Sequence, residues 1–415
     1  MTRRRRRIVA ALLGVACLAG ATGVIGPVGS PPPAQAAPAT EAPDSFYDPP
    51  SPLPAGEPGD VLRAEPTSSH LDPLHLLPTP ANVWRLMYLS TSGTGERVAV
   101  TGTLLVPRAP WLGAGRRPLL TYALGSHGLG PQCTPSYQFR QGTEYEAGLV
   151  ASYVNEGWAV VVTDYEHVHT NGFEVYVNTR SAGQSVLDAA RAATHVAGSG
   201  LTAANPVAIT GYSQGGHASS AAAELQPTYA PELPVKAVAT GGVPADLREV
   251  AANVDRTALF GTVPMAVASL HAVYPELSLS GFNATGQRAL HDATTTCMPE
   301  MVTRWGFHSA TELTVGAKTI GQFLDANPDW ASRIDEQRLG TRAPHVPALV
   351  YHGLEDPWVP YAVDRQLADD WRAKGADVTF TTYPVAEHIG AVIEAIPQVQ
   401  TWLFVHTTGT TGAAA

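Results

Sequence analysis

The strongest constraint on this chain is Pro206-Val-Ala-Ile-Thr-Gly-Tyr-Ser-Gln-Gly-Gly216, where a serine stands at the centre of Gly-x-Ser-x-Gly between an apolar run and an alanine-rich stretch, residues 218–225. A strand that turns sharply into a helix with serine at the apex is a nucleophile elbow. Its neighbours Gly211, Gly215 and Gly216 must lack side chains so that strand and helix can approach and substrate can reach the hydroxyl. The segment therefore predicts strand, tight turn and helix, and makes Ser213 the candidate nucleophile.

A serine hydroxyl is a weak nucleophile and needs a histidine base oriented by an acid, which in this arrangement follow the serine in the order acid, then histidine. Val346-Pro-Ala-Leu-Val-Tyr-His-Gly-Leu-Glu-Asp-Pro-Trp-Val-Pro360 reads as a buried strand running into a turn, with Asp356 just beyond its end. Glu355 is the competing acid, but Asp-Pro followed by Val-Pro pins the turn and aims the shorter carboxylate inward. A strand at residues 378–383 then leads to Pro384-Val-Ala-Glu-His-Ile-Gly390, which carries His388 ahead of a final helix. His406, the other downstream histidine, follows that helix near a Thr/Gly/Ala tail.

The tetrahedral oxyanion requires two N–H donors, one from the residue after the nucleophile and one from the loop after the third core strand. Gln214 supplies the first. Residues 119–124 run into Gly125-Ser-His-Gly-Leu-Gly130, where the second falls to His127 or Gly128, with no choice between them.

On these motifs the chain resembles the secretory lipase family of α/β-hydrolases, known from fungal lipases of the Candida antarctica lipase A type and from actinobacteria. The resemblance extends over Ser126-His-Gly-Leu-Gly-Pro-Gln-Cys-Thr-Pro-Ser136, Thr163-Asp-Tyr165, Val186-Leu-Asp-Ala-Ala-Arg191 and His352-Gly-Leu-Glu-Asp-Pro-Trp-Val-Pro360, and upstream to Asp44-Ser-Phe-Tyr-Asp-Pro-Pro50 and Gly102-Thr-Leu-Leu-Val-Pro107. It implies Ser213, Asp356 and His388 as the triad, a helical cap over the site, and hydrolysis of carboxylic esters including acylglycerols. The oxyanion loop departs from the fungal members in carrying His-Gly-Leu-Gly where they have an acidic residue.

Apolar runs at residues 98–106, 119–124, 158–163, 207–210, 235–240, 348–351 and 378–383 alternate with helical stretches from the third onward. That rhythm predicts an α/β fold with a mostly parallel sheet flanked by helices, the α/β-hydrolase class. Residues 245–340 break it, with helical candidates at 245–254, 265–274 and 320–324 and bulky apolar residues such as Phe260, Phe282 and Trp305; this reads as a cap inserted between core segments 81–244 and 341–406. Residues 37–80 are proline-rich and read as an extended arm on the surface, and residues 407–415 as a disordered tail.

Residues 1–36 carry the marks of a processing signal: Arg3 to Arg7, an apolar stretch over residues 8–24, and Ala34-Gln-Ala36 as the cleavage site. Export through either the general or the twin-arginine route follows, and Cys17 sits in a poor lipoprotein box. Cleavage leaves Cys133 and Cys297, an even pair that in an exported protein most simply forms a disulfide.

Apolar residues make up 44% of the 415 and charged ones 15%, enough for a large core. The net charge of −10, falling to −15 without the five arginines, argues against nucleic acid as partner. No phosphate loop, dinucleotide fingerprint or zinc-ligand spacing is present, so no metal or organic cofactor is expected. The expected partner is an ester or lipid substrate, a lipid–water interface is compatible with it, and no protein partner is implied. Rival readings are a short-chain esterase, a peptidase or acyltransferase on the same triad, and a non-catalytic binding module.

Overall fold

The computed structural model describes residues 44–169 and 172–409. The expected signal segment, the first residues of the arm and residues 410–415 lie outside them. Nine strands form one sheet: β1 (Val61–Thr67), β2 (Ala81–Thr91), β3 (Arg97–Pro107), β4 (Leu119–Ala123), β5 (Ala159–Thr163), β6 (Val207–Tyr212), β7 (Val235–Gly241), β8 (Ala348–Gly353) and β9 (Val378–Tyr383), in the order β1-β2-β3-β5-β4-β6-β7-β8-β9. The first three strands and the β3–β5 pair are antiparallel, and from β5 to β9 every neighbour is parallel.

The helices are α1 (Pro135–Gln141), α2 (Ala147–Asn155), α3 (Thr179–His195), α4 (Gln214–Tyr229), α5 (Leu247–Val254), α6 (Thr262–Val273), α7 (Ala284–Thr295), α8 (Met298–Trp305), α9 (Ala310–Leu313), α10 (Ile320–Ala326), α11 (Pro328–Asp335), α12 (Tyr361–Ala373) and α13 (His388–Thr408). Strands β4, β5, β6 and β8 are buried along their whole length, as strands covered on both faces must be. Their side chains alternate between two cores. Leu119, Ala123, Ala159, Val161, Val207 and Ile209 face α3 and α4, whereas Leu120, Tyr122, Val160, Val162, Ala208 and Tyr212 face α1, α2 and α13.

Three elements differ from the sequence reading. Part of the expected arm is a true strand: β1 pairs with β2 at the sheet's edge, where the exposed residues Ala64, Glu65 and Pro66 are tolerated because one side of the strand carries no ladder. Helix α13 runs through Thr407 and Thr408 and closes on Gly409 at φ 68°, so the tail begins later than residue 407. Between β7 and β8 the chain holds seven helices, α5 to α11, of which α7, α8, α9 and α11 are not among the helical candidates marked from the sequence. The structure caps them locally, through Asn283, the box formed by Ser309 and Glu312, and the proline at the start of α11.

The strand order fixes where chemistry can occur. Strand β5 lies on one side of β4 and β6 on the other, so the chain reverses direction across the sheet between them. Loops leaving the carboxyl ends of strands at such a switch point splay apart and open a crevice.

Candidate active site

All the predicted site residues sit at the carboxyl ends of these parallel strands. Ser213 follows β6 with φ 59° and ψ −121°, a conformation costing about 1–3 kcal/mol for a non-glycine residue. The turn is as crowded as the motif requires: a Cβ on Gly211 would meet Gly215 O at 2.2 Å, one on Gly215 would meet Ala123 O at 2.0 Å, and one on Gly216 would meet Gly241 O at 2.4 Å. Ser213 N donates to Gly241 O, which pins the apex to the end of β7. Helix α4 begins at Gln214, so its positive end lies against the serine.

The acid and the histidine come together as the sequence order suggests. His388 Nδ1 lies 2.5 Å from Asp356 Oδ2, and both side chains are almost completely buried. Asp356 Oδ1 accepts from the amides of Trp358 and Val359, so both carboxylate oxygens are engaged. Burial alone would raise this carboxyl, but the hydrogen bond and charge of His388 and the Trp358 amide hold it below its ordinary value. Glu355 is exposed. The ring of His388 is walled by Tyr212 and Trp358, at centroid distances of 4.9 and 5.2 Å, and Tyr212 Oη donates to His388 O at 2.7 Å. With Nδ1 committed to Asp356, Nε2 is the nitrogen left for chemistry.

On the opposite wall, the loop after β4 presents His127 and Gly128. The side chain of His127 turns inward: Nδ1 contacts Gly125 O at 2.8 Å and Nε2 contacts Glu144 Oε1 at 2.6 Å, so the imidazole cannot reach an oxyanion and only its backbone can. Gly128 has φ 97° and pairs across an isolated bridge with Cys297; a Cβ there would lie 2.5 Å from Cys297 Cα. Among the described residues no acceptor pairs with the backbone N–H of His127, Gly128 or Gln214. The Cys133–Cys297 disulfide is present, with Cα atoms 5.4 Å apart, and joins this wall to the start of α8.

Several buried groups at the site were not singled out in the sequence. His352 lies 2.8 Å from Asp364 and 3.6 Å from Asp356, both fully buried, while Asp364 also accepts from Val243 N. Glu174 accepts from the Gln214 side chain, and burial pushes its carboxyl up to about 8 despite that bond. Glu146 accepts from Gly125 N and Tyr122 Oη; burial, then the charge of Glu144, push it up to about 7. One signal was available for Asp364: a carboxylate on the inward face of an otherwise amphipathic helix.

The insertion encloses an apolar cavity of about 110 Å³ lined by Leu247, Val263, Leu270, Phe282, Phe323 and Trp330 among others, and bounded toward the crevice by Tyr176, Val177 and Pro244. Tyr176 Oη is 2.9 Å from Ser126 Oγ on the loop after β4. Of the bulky insertion residues named from sequence, Phe282 lines this cavity, whereas Phe260 and Trp305 do not line it but pack behind its wall with Met265, Met301 and Leu313, the last of which is itself a cavity residue.

The secretory lipase family model matches residues 137–412, most of the chain. The chain belongs to the secretory lipase family. This secretory lipase is thereby a carboxylic-ester hydrolase. It is 28% identical to a secreted triacylglycerol lipase of Malassezia furfur, over 82% of this chain and 70% of that one. A Mycobacterium tuberculosis protein described as a probable inactive lipase is 29% identical over 93% of this chain and 87% of its own length. Candida antarctica lipase A in its closed state superposes with a TM-score of 0.77 at 23% identity, covering 90% of this chain and 87% of that chain, which establishes the α/β-hydrolase fold.

Proposed function

We propose that this secretory lipase is an exported serine hydrolase that cleaves acylglycerol esters through an acyl-serine intermediate. The observation that carries the reading is the Asp356–His388 pair, 2.5 Å apart and buried, on turns neighbouring a strained Ser213 at the same edge of the sheet. His388 Nε2 takes the Ser213 proton as Oγ attacks the ester carbonyl, and Asp356 holds the imidazolium that forms. The carbonyl oxygen becomes an oxyanion received by the N–H of Gln214 and by that of His127 or Gly128. His388 then gives its proton to the departing alcohol, and a water molecule, deprotonated by His388, hydrolyses the acyl-serine to the free acid.

The acyl chain is assigned to the apolar cavity of the insertion, residues 245–340 acting as a cap. An apolar lining with few polar groups favours a hydrocarbon tail over a peptide side chain. Triacylglycerol is the substrate named for the Malassezia furfur relative, which supports the same class here. Export rests on the cationic and apolar start of the chain and on a family of secreted enzymes.

The test is covalent labelling with a fluorophosphonate, then turnover of p-nitrophenyl butyrate, tributyrin, triolein emulsion and an aminoacyl-nitroanilide. Label on Ser213 with acylglycerol turnover is expected. Label elsewhere sinks the mechanism, turnover of the anilide alone sinks the substrate class, and an unlabelled, inert protein puts the chain beside the inactive mycobacterial relative.

A further inference from the structure

The loop after β4 is held at several of its backbone polar atoms. Tyr165 Oη donates to Leu124 O at 2.6 Å, Gly125 N donates to Glu146 Oε1 at 2.7 Å, Tyr145 Oη donates to Ser126 O at 2.6 Å, and Met298 N donates to His127 O at 2.8 Å. Among the described residues the N–H groups of Ser126, His127 and Gly128 have no acceptor. A loop fixed at these atoms, with three consecutive amides left without an acceptor, is preorganised for a developing negative charge.

The remaining anchor comes from the loop's own histidine. Both ring nitrogens of His127 face atoms that only accept: Gly125 O at 2.8 Å, and Glu144 Oε1 at 2.6 Å, which also accepts from Glu146 N at 3.0 Å. A neutral imidazole has one N–H and would set a lone pair against one of these oxygens, whereas an imidazolium satisfies both. We propose that His127 is a charged positioning residue whose imidazolium, clamped between Gly125 O and the Glu144 carboxylate, aims the oxyanion-binding amides. This rests on the catalytic reading given above. Tyr145 stacks on the ring with centroids 4.3 Å apart, Glu146 lies on the same segment as Glu144, and Asp164 and Glu174 act on it from the β5–α3 connection. Burial would strip the proton from this ring, but the bond to Glu144, its charge and that of Glu146 reverse the direction and push the histidine up to about 9.

The sign follows. The clamp is intact while His127 is protonated, so kcat on soluble p-nitrophenyl butyrate falls as pH rises through about 9, with KM little changed. His127→Gln has one N–H group for two acceptors; it lowers kcat by about 10- to 100-fold near neutrality and flattens that alkaline fall. Glu144→Gln lowers kcat as well and moves the fall to lower pH, because the imidazolium loses its counter-charge. Glu146 and Glu174 also lose protons in this range, so Glu146→Gln is run beside them; it removes the smaller of the two supporting charges and should move the fall to lower pH by less than Glu144→Gln does. Nitrogen-15 NMR of histidine-labelled wild type at pH 7 should show one buried imidazole protonated at both nitrogens and absent from the His127→Gln spectrum.

A neutral tautomer for that signal, or wild-type kcat and pH profile in His127→Gln, overturns the proposal while Ser213 labelling leaves the catalytic reading standing. Loss of labelling in wild type overturns the reading itself. Should His127→Gln fail to fold, the NMR of wild type and the Glu144→Gln profile decide the matter alone.

Discussion

The two walls of the crevice are built by different means. On the triad side, Ser213 and Asp356 occupy turns just after β6 and β8, and His388 opens α13 beyond the turn that follows β9, so strand order brings them together. On the oxyanion side, a single loop is held by side chains arriving from the β5–α3 connection and from the segment ahead of α2, and by a backbone amide at the start of α8. The first wall depends on short-range pattern and strand order. The second depends on contacts between residues far apart in sequence, and so offers more ways to adjust the aim of a donor without disturbing the nucleophile.

The largest effect should come from the triad wall. Ser213→Ala, Asp356→Asn and His388→Ala should each lower kcat by about 10⁴-fold or more, because the three act as a unit. Exposed Glu355→Gln should leave p-nitrophenyl ester turnover within about twofold; a large loss there would show that the acid is wrongly chosen and break the contrast at its stronger end.

Next comes the covalent tie of the oxyanion wall. Closing a loop with a sequence separation of 164 residues is worth up to about 4–5 kcal/mol on a chain-entropy treatment, so Cys133→Ser should lower the urea midpoint strongly. An unchanged midpoint would mean that noncovalent contacts alone secure this wall. Gly128→Ala should cost about 10²- to 10³-fold in kcat, since the new Cβ collides with Cys297 and displaces the amide. Equal loss of kcat and of fold would erase the distinction between aim and support.

Smaller effects concern the insertion and pH. Phe282→Ala should shift the ratio of long- to short-chain ester turnover several-fold, whereas Phe260→Ala, buried outside the cavity, should cost about 3–5 kcal/mol of stability and leave the ratio alone. His127 and Glu174 both bind protons more tightly when folded than when unfolded. Folded protein therefore holds the extra Glu174 proton between about pH 4.5 and 8 and the extra His127 proton between about pH 6.5 and 9, and their joint contribution to stability falls as pH rises from about 4.5 to 9. Thermal melts across it should decline, and less so in His127→Gln.

The walls also differ in how much of them the sequence discloses. Strands β3 to β9 follow from apolar runs of the right length, and Ser213, Asp356 and His388 from their places beyond strand ends. The acid pairing with His388 needed only the choice between adjacent carboxylates. By contrast, Glu144 and Glu146 look like surface residues ahead of a helix, and nothing local reveals that burial beneath the loop turns them into its supports. His127 was legible as a loop residue but not as an inward-facing one. Helices α7, α8 and α11 were missed although each carries an apolar face; their starts are set by Asn283, by Glu300 reaching back to Cys297 N, and by Pro328. Phe260 and Trp305 were grouped with Phe282 because bulk signals burial without saying on which side of a helix layer it falls.

The disulfide has a topological consequence. The covalent ring it closes runs from Cys133 to Cys297 and so contains Ser213, but neither Asp356 nor His388. A protease nick within α5, α6 or α7 would leave one molecule under non-reducing conditions, its nucleophile still tethered to both flanks. A nick within α9, α10 or α11 would instead release, on denaturation, a carboxyl-terminal fragment bearing the acid and the base. The position of a single cut thus decides whether the catalytic residues remain on one covalent species, and gel mobility with and without reductant distinguishes the two.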